Sequence, residues 1–151
     1  MPAKHLRFAI RIASPAARVW RTMLEPDTYR EWTSAFCEGS YYEGSWEKGR
    51  EIRFLAPNGE GMVATIAENR PHEFISIRHE GVISGGVVDT DSAAVGAWAP
   101  AYENYTFRAA GEGTEVVVDQ DITSDYEQFM QEAWPKALAR LKMLCEGGHV
   151  G

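Results

Sequence analysis

Apolar and polar residues alternate from the start of the chain. Leu6, Phe8, Ile10 and Ile12 share one face and Arg7 and Arg11 the other, which predicts a strand with one side on a core. Ser14-Pro15 then reads as a helix cap followed by proline in the first turn, and Ala16, Ala17, Val19, Trp20, Met23 and Leu24 follow at helical spacing. Pro26 opens a second short helix through Tyr29 and Trp32. Beyond it the period returns to two. Strands are predicted near residues 36–42, 51–55, 61–68, 73–80, 102–110 and 114–122. The breakers between them are Gly44, Gly49, Pro57-Asn58-Gly59, Asn69-Arg70-Pro71 and Gly111-Glu112-Gly113. Spacing this close makes hairpin follow hairpin, whereas a parallel sheet would need a crossover helix between strands. The stretch 81–101 is too long for a simple loop. Ser92 is placed to cap a short helix through Ala93, Ala94, Val95 and Trp98.

The last element has the longest pattern. Ser124-Asp125-Tyr126-Glu127 reads as a capping box. Tyr126, Phe129, Met130, Ala133, Trp134, Ala137, Leu138, Leu141 and Cys145 recur at three and four residues, while Gln128, Gln131, Glu132, Lys136 and Arg140 take the opposite face. Such a helix spans about 21 residues, or about 31 Å. Pro135 inside it predicts a bend, and Gly147 is placed to end it. The predicted class is α+β. A curved antiparallel sheet wraps around the long C-terminal helix, with two short helices after the first strand, a helix-grip arrangement that readily leaves space between sheet and helix. Residues 1–146 are expected to form one domain and residues 147–151 a disordered tail.

Composition narrows the function. At 151 residues, 44% of them hydrophobic and 25% charged, the chain is suited to a self-sufficient core. Fifteen basic against 22 acidic residues give a net charge of −7, which opposes general binding to a phosphate backbone. No stretch has the length or apolarity of a membrane span, and no apolar leader opens the chain. Two cysteines, Cys37 and Cys145, make no disulfide framework and no metal-ligand spacing. The expectation is a cytoplasmic protein with reduced thiols, no metal and no cofactor. The acidic set Glu115, Asp119 and Asp121 reads as a solvated outer face.

Five Trp, six Tyr and six Phe need a core, a cavity wall or an interface. Strand alternation sorts them. Tyr105 and Phe107 share a face with Glu103; Ile75 and Ile77 share one with His79; Val116, Val118 and Ile122 share one with Gln120; Ile52 pairs with Phe54. Three polar side chains, His79, Glu103 and Gln120, therefore fall on the apolar side. They either sit at a wet rim, hydrogen-bonded to neighbours, or orient a mostly apolar ligand. A His near a Glu is also the pairing used in general acid–base chemistry. On the helix, Met130 and Trp134 could meet such a ligand or simply fill the core, and Phe129 shares their stripe. Trp32 and Trp98 could gate a cavity mouth or staple the short helices.

Several stretches carry a family resemblance. They are Ile12-Ala13-Ser14-Pro15 with Val19-Trp20, Tyr29-Arg30-Glu31-Trp32, Glu43-Gly44-Ser45-Trp46, Lys48-Gly49 and Gly61-Met62. Tyr102-Glu103-Asn104-Tyr105 and Trp134-Pro135-Lys136-Ala137-Leu138 complete the set. Over nearly its whole length the chain resembles the START/birch-pollen-allergen (SRPBCC) superfamily. More narrowly it is similar to bacterial domains related to the activator of the heat-shock-protein-90 ATPase. The resemblance implies a cavity for lipids, sterols or polyketides, with cyclases and aromatases among the members, and the subfamily name implies chaperone contact. The leading expectation is a non-enzymatic binding domain for a small apolar ligand. Its candidate contacts are Trp32, Phe54, Ile77, His79, Trp98 and Glu103 on one part of the wall, and Tyr105, Phe107, Val118, Gln120, Met130 and Trp134 on the rest. The alternative is an interaction module whose partner is a chaperone or a second copy of the chain. A cyclase- or hydratase-like enzyme using His79 or Glu103 is the third reading.

Overall fold

The computed structural model describes residues 3–147. In β1 (Ala3–Ile12), Leu6 and Ile12 are buried and Arg7 and Arg11 exposed, as the alternation dictates. α1 (Ala16–Leu24) buries Val19, Met23 and Leu24, and α2 (Pro26–Thr33) buries Tyr29, Trp32 and Thr33. Ser14 does not cap α1. Pro15 holds the extended cap position, its carbonyl accepts from the N–H groups of Arg18 and Val19, and the Ser14 hydroxyl is buried without a partner.

The remaining strands are β2 (Tyr41–Gly44), β3 (Glu51–Leu55), β4 (Gly61–Arg70), β5 (Phe74–Ser84), β6 (Val87–Asp89), β7 (Ala101–Ala110) and β8 (Gly113–Thr123). Every pairing is antiparallel, in one sheet of order β1-β8-β7-β5-β4-β3-β2 with β6 on β5. The β4–β5 register shifts between Val63 and Ala64 and again between Ile66 and Glu68. Such bulges bend and twist a ladder. The sheet curls around α4 (Glu127–Gly147), which packs on β1, α1 and α2 and buries Ala133, Trp134, Ala137, Leu138, Leu141 and Cys145. This is the α+β helix-grip architecture.

Four local expectations need correction. The strand predicted over 36–42 begins only at Tyr41, because residues after α2 continue in turns in which Phe36 and Cys37 donate to the Thr33 carbonyl. The stretch after residue 80 contains the end of β5, a hairpin to β6 and α3 (Ala93–Gly96). Gly85 and Gly86 turn that hairpin with φ of 58° and 79°, the left-handed geometry a two-residue hairpin loop demands. Ser92 does cap α3, accepting from Val95 N–H at 3.2 Å, but Trp98 lies beyond the helix. The expected capping box of α4 is instead a 3₁₀ turn, Ser124–Tyr126, with no side-chain cap bond. Pro135 sits inside α4, and Gly147 is its last residue; the rest of the predicted tail, 148–151, lies outside the described residues.

Candidate functional site

The inner face of the sheet changes character along the β7–β8 ladder. The rungs run from Phe107 opposite Val116, through Tyr105 opposite Val118, to Glu103 opposite Gln120. β5 lies on the other side of β7 and presents Ile77 beside Glu103, with His79 one inward position further on. Alternation therefore carries three polar side chains to the same end of the apolar face, and the sheet register brings them into contact.

Glu103 is the centre of this cluster. Its Oε1 lies 2.9 Å from His79 Nε2 and accepts from Gln120 Nε2 at 3.4 Å, and its Oε2 accepts from the Tyr105 hydroxyl. Gln120 in turn accepts at 2.8 Å from the indole N–H of Trp134, which ties the sheet to α4. The side chains of His79 and Glu103 are 7% and 14% exposed. The carboxylate engages Nε2, and the other ring nitrogen, Nδ1, is buried without a partner. Burial, followed by the charge of Glu103 and the hydrogen bond to it, pushes the Tyr105 phenol well above its usual range. Burial and the Glu103 charge likewise push Tyr29 up. Both phenols hold their protons at neutral pH.

The cluster lines a cavity of about 670 Å³ between sheet and helix. Trp32, Phe54, Tyr105 and Trp134 supply its apolar wall, with Met130 reaching in from α4. The rings interlock: Trp134 lies 6.0 Å from Trp32 and 4.8 Å from Phe36, while Phe54 lies 5.6 Å from His79. Trp32 is 1% exposed, and its indole donates to the Met23 carbonyl at 3.1 Å, which staples α2 to α1. Half-buried Trp98 stands on the rim, with Tyr126 and Ile122.

Nine of the twelve sequence candidates share this cavity: Trp32, Phe54, His79, Trp98, Glu103 and Tyr105 from the sheet side and its helices, and Gln120, Met130 and Trp134 from β8 and α4. Ile77, Phe107 and Val118 do not line it. They are packed in the solid core, Phe107 against Trp20 at 5.2 Å. Phe129 points away and is 47% exposed. Tyr29, Phe36 and Tyr126 line the cavity but were not among the candidates. The helical spacing of Tyr29 and Trp32 carries a signal for the first of these; Phe36 lies in the turns after α2, where the alternation predicts a strand. Among the described residues no group of three His, Cys, Asp or Glu side chains is placed to hold a metal ion. Both cysteines are free, Cys37 exposed and Cys145 buried. No helix among the described residues is long and apolar enough to cross a membrane.

The family model described as activator of Hsp90 ATPase homolog 1-like protein matches residues 13–146. The chain belongs to this family. None of the curated proteins matches it. Solved structures share the fold at low identity. The Aha1 dimer from Colwellia psychrerythraea superposes with a TM-score of 0.72 at 16% identity, covering 96% of this chain and 98% of that one. Protein MLL2253 from Mesorhizobium loti gives 0.72 at 14% identity, covering 97% and 100%. DynU16, a protein of the dynemicin biosynthetic locus, gives 0.70 at 14% identity, covering 95% of this chain and 47% of that one. These likenesses show the fold alone and leave function to the site.

Proposed function

We propose that the chain binds a small, mostly apolar molecule between sheet and C-terminal helix, with residues 1–146 as the binding domain. The observation that carries this reading is the cavity of about 670 Å³ with its polar cluster at one end. Ligand sites of this kind are concave and largely apolar, with a few convergent polar groups, and fall in the range of about 300–1,000 Å³. The nine shared candidates act as ligand contacts, and the cluster orients the ligand's polar end. The cytoplasm is the compartment proposed, in keeping with two free thiols. The similarity to DynU16, from a biosynthetic locus, is compatible with a small-molecule role.

The comparisons taken alone support a second reading better. The matched family is described by a chaperone ATPase activator, and one similar structure is a dimer. On that reading the chain is an interaction module for a chaperone or a second copy of itself. Native mass spectrometry of gently isolated protein separates the two. A retained molecule of small mass supports the cavity reading. A bare monomer mass, together with no thermal shift from a panel of sterols and polycyclic aromatics, contradicts it. A dimer mass with an empty cavity supports the interaction module.

A further inference from the structure

We propose that the cavity selects an organic cation: an aromatic or alicyclic body carrying one protonated amine directed at Glu103. This rests on the cavity being a ligand site. The first argument is sign. The carboxylate facing the space is Glu103; Asp121 borders it with its own carboxylate turned to His5 and the Tyr102 N–H, and among the described residues no Lys or Arg lines the space. His79 is the lining side chain able to carry positive charge, and its Nε2 is committed to Glu103. An anionic ligand would meet the Glu103 carboxylate, with the unpartnered Nδ1 of His79 as the one basic atom left to it among the described lining residues.

The second argument is capacity. A carboxylate offers about four lone-pair positions. Glu103 fills three, with His79, Tyr105 and Gln120, so one remains for a ligand N–H. Tyr29 supplies an independent observation. Only 8% exposed, it lines the same cavity, and its hydroxyl makes no hydrogen bond to the described residues. That phenol can accept from an ammonium. The third argument is the wall. The π faces of Trp32, Tyr105 and Trp134 attract a cation as well as an apolar body, and most strongly where water is excluded.

The test is calorimetric titration at pH 7 with three molecules sharing one body: 1-pyrenylmethylamine, 1-pyrenylmethanol and 1-pyrenecarboxylate. The ammonium should bind about tenfold tighter than the alcohol, and the carboxylate should bind weakest. Glu103→Gln should bring ammonium and alcohol within about threefold of each other while the alcohol still binds. Should Glu103→Gln fail to fold, Tyr29→Phe keeps the ring and should lower the ammonium's advantage several-fold. An alcohol that binds as tightly as the ammonium, a carboxylate that binds tightest, or a preference untouched by the variants overturns the proposal and leaves the cavity reading standing. Failure of all three probes to bind overturns both.

Discussion

The two halves of α4 cover the same sheet in different ways. Its second half presses Ala137, Leu138, Leu141 and Cys145 into a core closed by Ile12, Val19, Met23 and Val116, all 4% exposed or less. Its first half sets Met130 and Trp134 over an open space and leaves Phe129 exposed, as is Tyr126 in the turn just before it. The difference is in what faces the helix. At the closed end α1 fills the gap with side chains; at the open end the strands offer His79 and Gln120, both joined to Glu103, and leave room between. One face of one sheet is thus built in two ways. The apolar end packs solidly, and the polar end borders the open space to which the proposed function assigns a ligand.

Truncation at the two ends should separate these jobs most sharply. Leu141→Ala removes a side chain with no exposure, and a cavity there costs about 2–5 kcal/mol, a fall in melting temperature of order 10 °C. Met130→Ala removes a half-buried side chain that already borders open space, and thermal unfolding should register less than about 1 kcal/mol. Comparable losses at both positions would mean that the open end is packed as tightly as the closed one.

Glu103→Leu comes next in size. It strips His79, Tyr105 and Gln120 of a shared acceptor, and buried donors left unpaired should lower stability by about 2–3 kcal/mol in chemical denaturation. Glu103→Gln retains an acceptor and should cost about 1 kcal/mol. If leucine were tolerated as well as glutamine, the cluster would not organise the open end.

How far the sequence discloses this division depends on the kind of signal. Period-two alternation placed His79, Glu103 and Gln120 on the inward face, because side-chain direction is local. Their meeting depends on the register of β5, β7 and β8, which hairpin turns and core packing set together. The same limit explains why Ile77, Phe107 and Val118 could not be told from cavity lining. They share faces with the true lining residues, and only the position of α1 and the end of α4 decides which rungs are covered. The β5–β6 hairpin did leave a local sign in Gly85-Gly86. Phe36 left none, since the turns after α2 have no period.

The outer face of the same strands gives the smallest effect. His5 sits between Asp119 and Asp121, at 3.0 and 3.1 Å, and hydrogen bonds to Asp121 and then Asp119 raise it above its ordinary 6.5. A raised folded-state value makes the contribution full below the ordinary value, and it is lost as pH rises through the raised one. At 57% side-chain exposure solvent screening keeps this small. His5→Gln should therefore narrow the stability difference between pH 5.5, about a unit below the ordinary value, and alkaline pH, without touching ligand response. A variant that left the pH profile unchanged would remove His5 from the account.

Chemical shifts of the tryptophan indole N–H groups compare the two ends in one experiment. Trp134 belongs to the cavity, whereas Trp20 packs on Phe107 at the closed end. With signals assigned through single Trp→Phe variants, titration with 1-pyrenylmethanol should move the Trp134 resonance, through ring currents and its bond to Gln120, and leave Trp20 in place. Equal movement at both, or movement at neither across a saturating range, would contradict the claim that this fold closes one end of its core and keeps the other for a ligand.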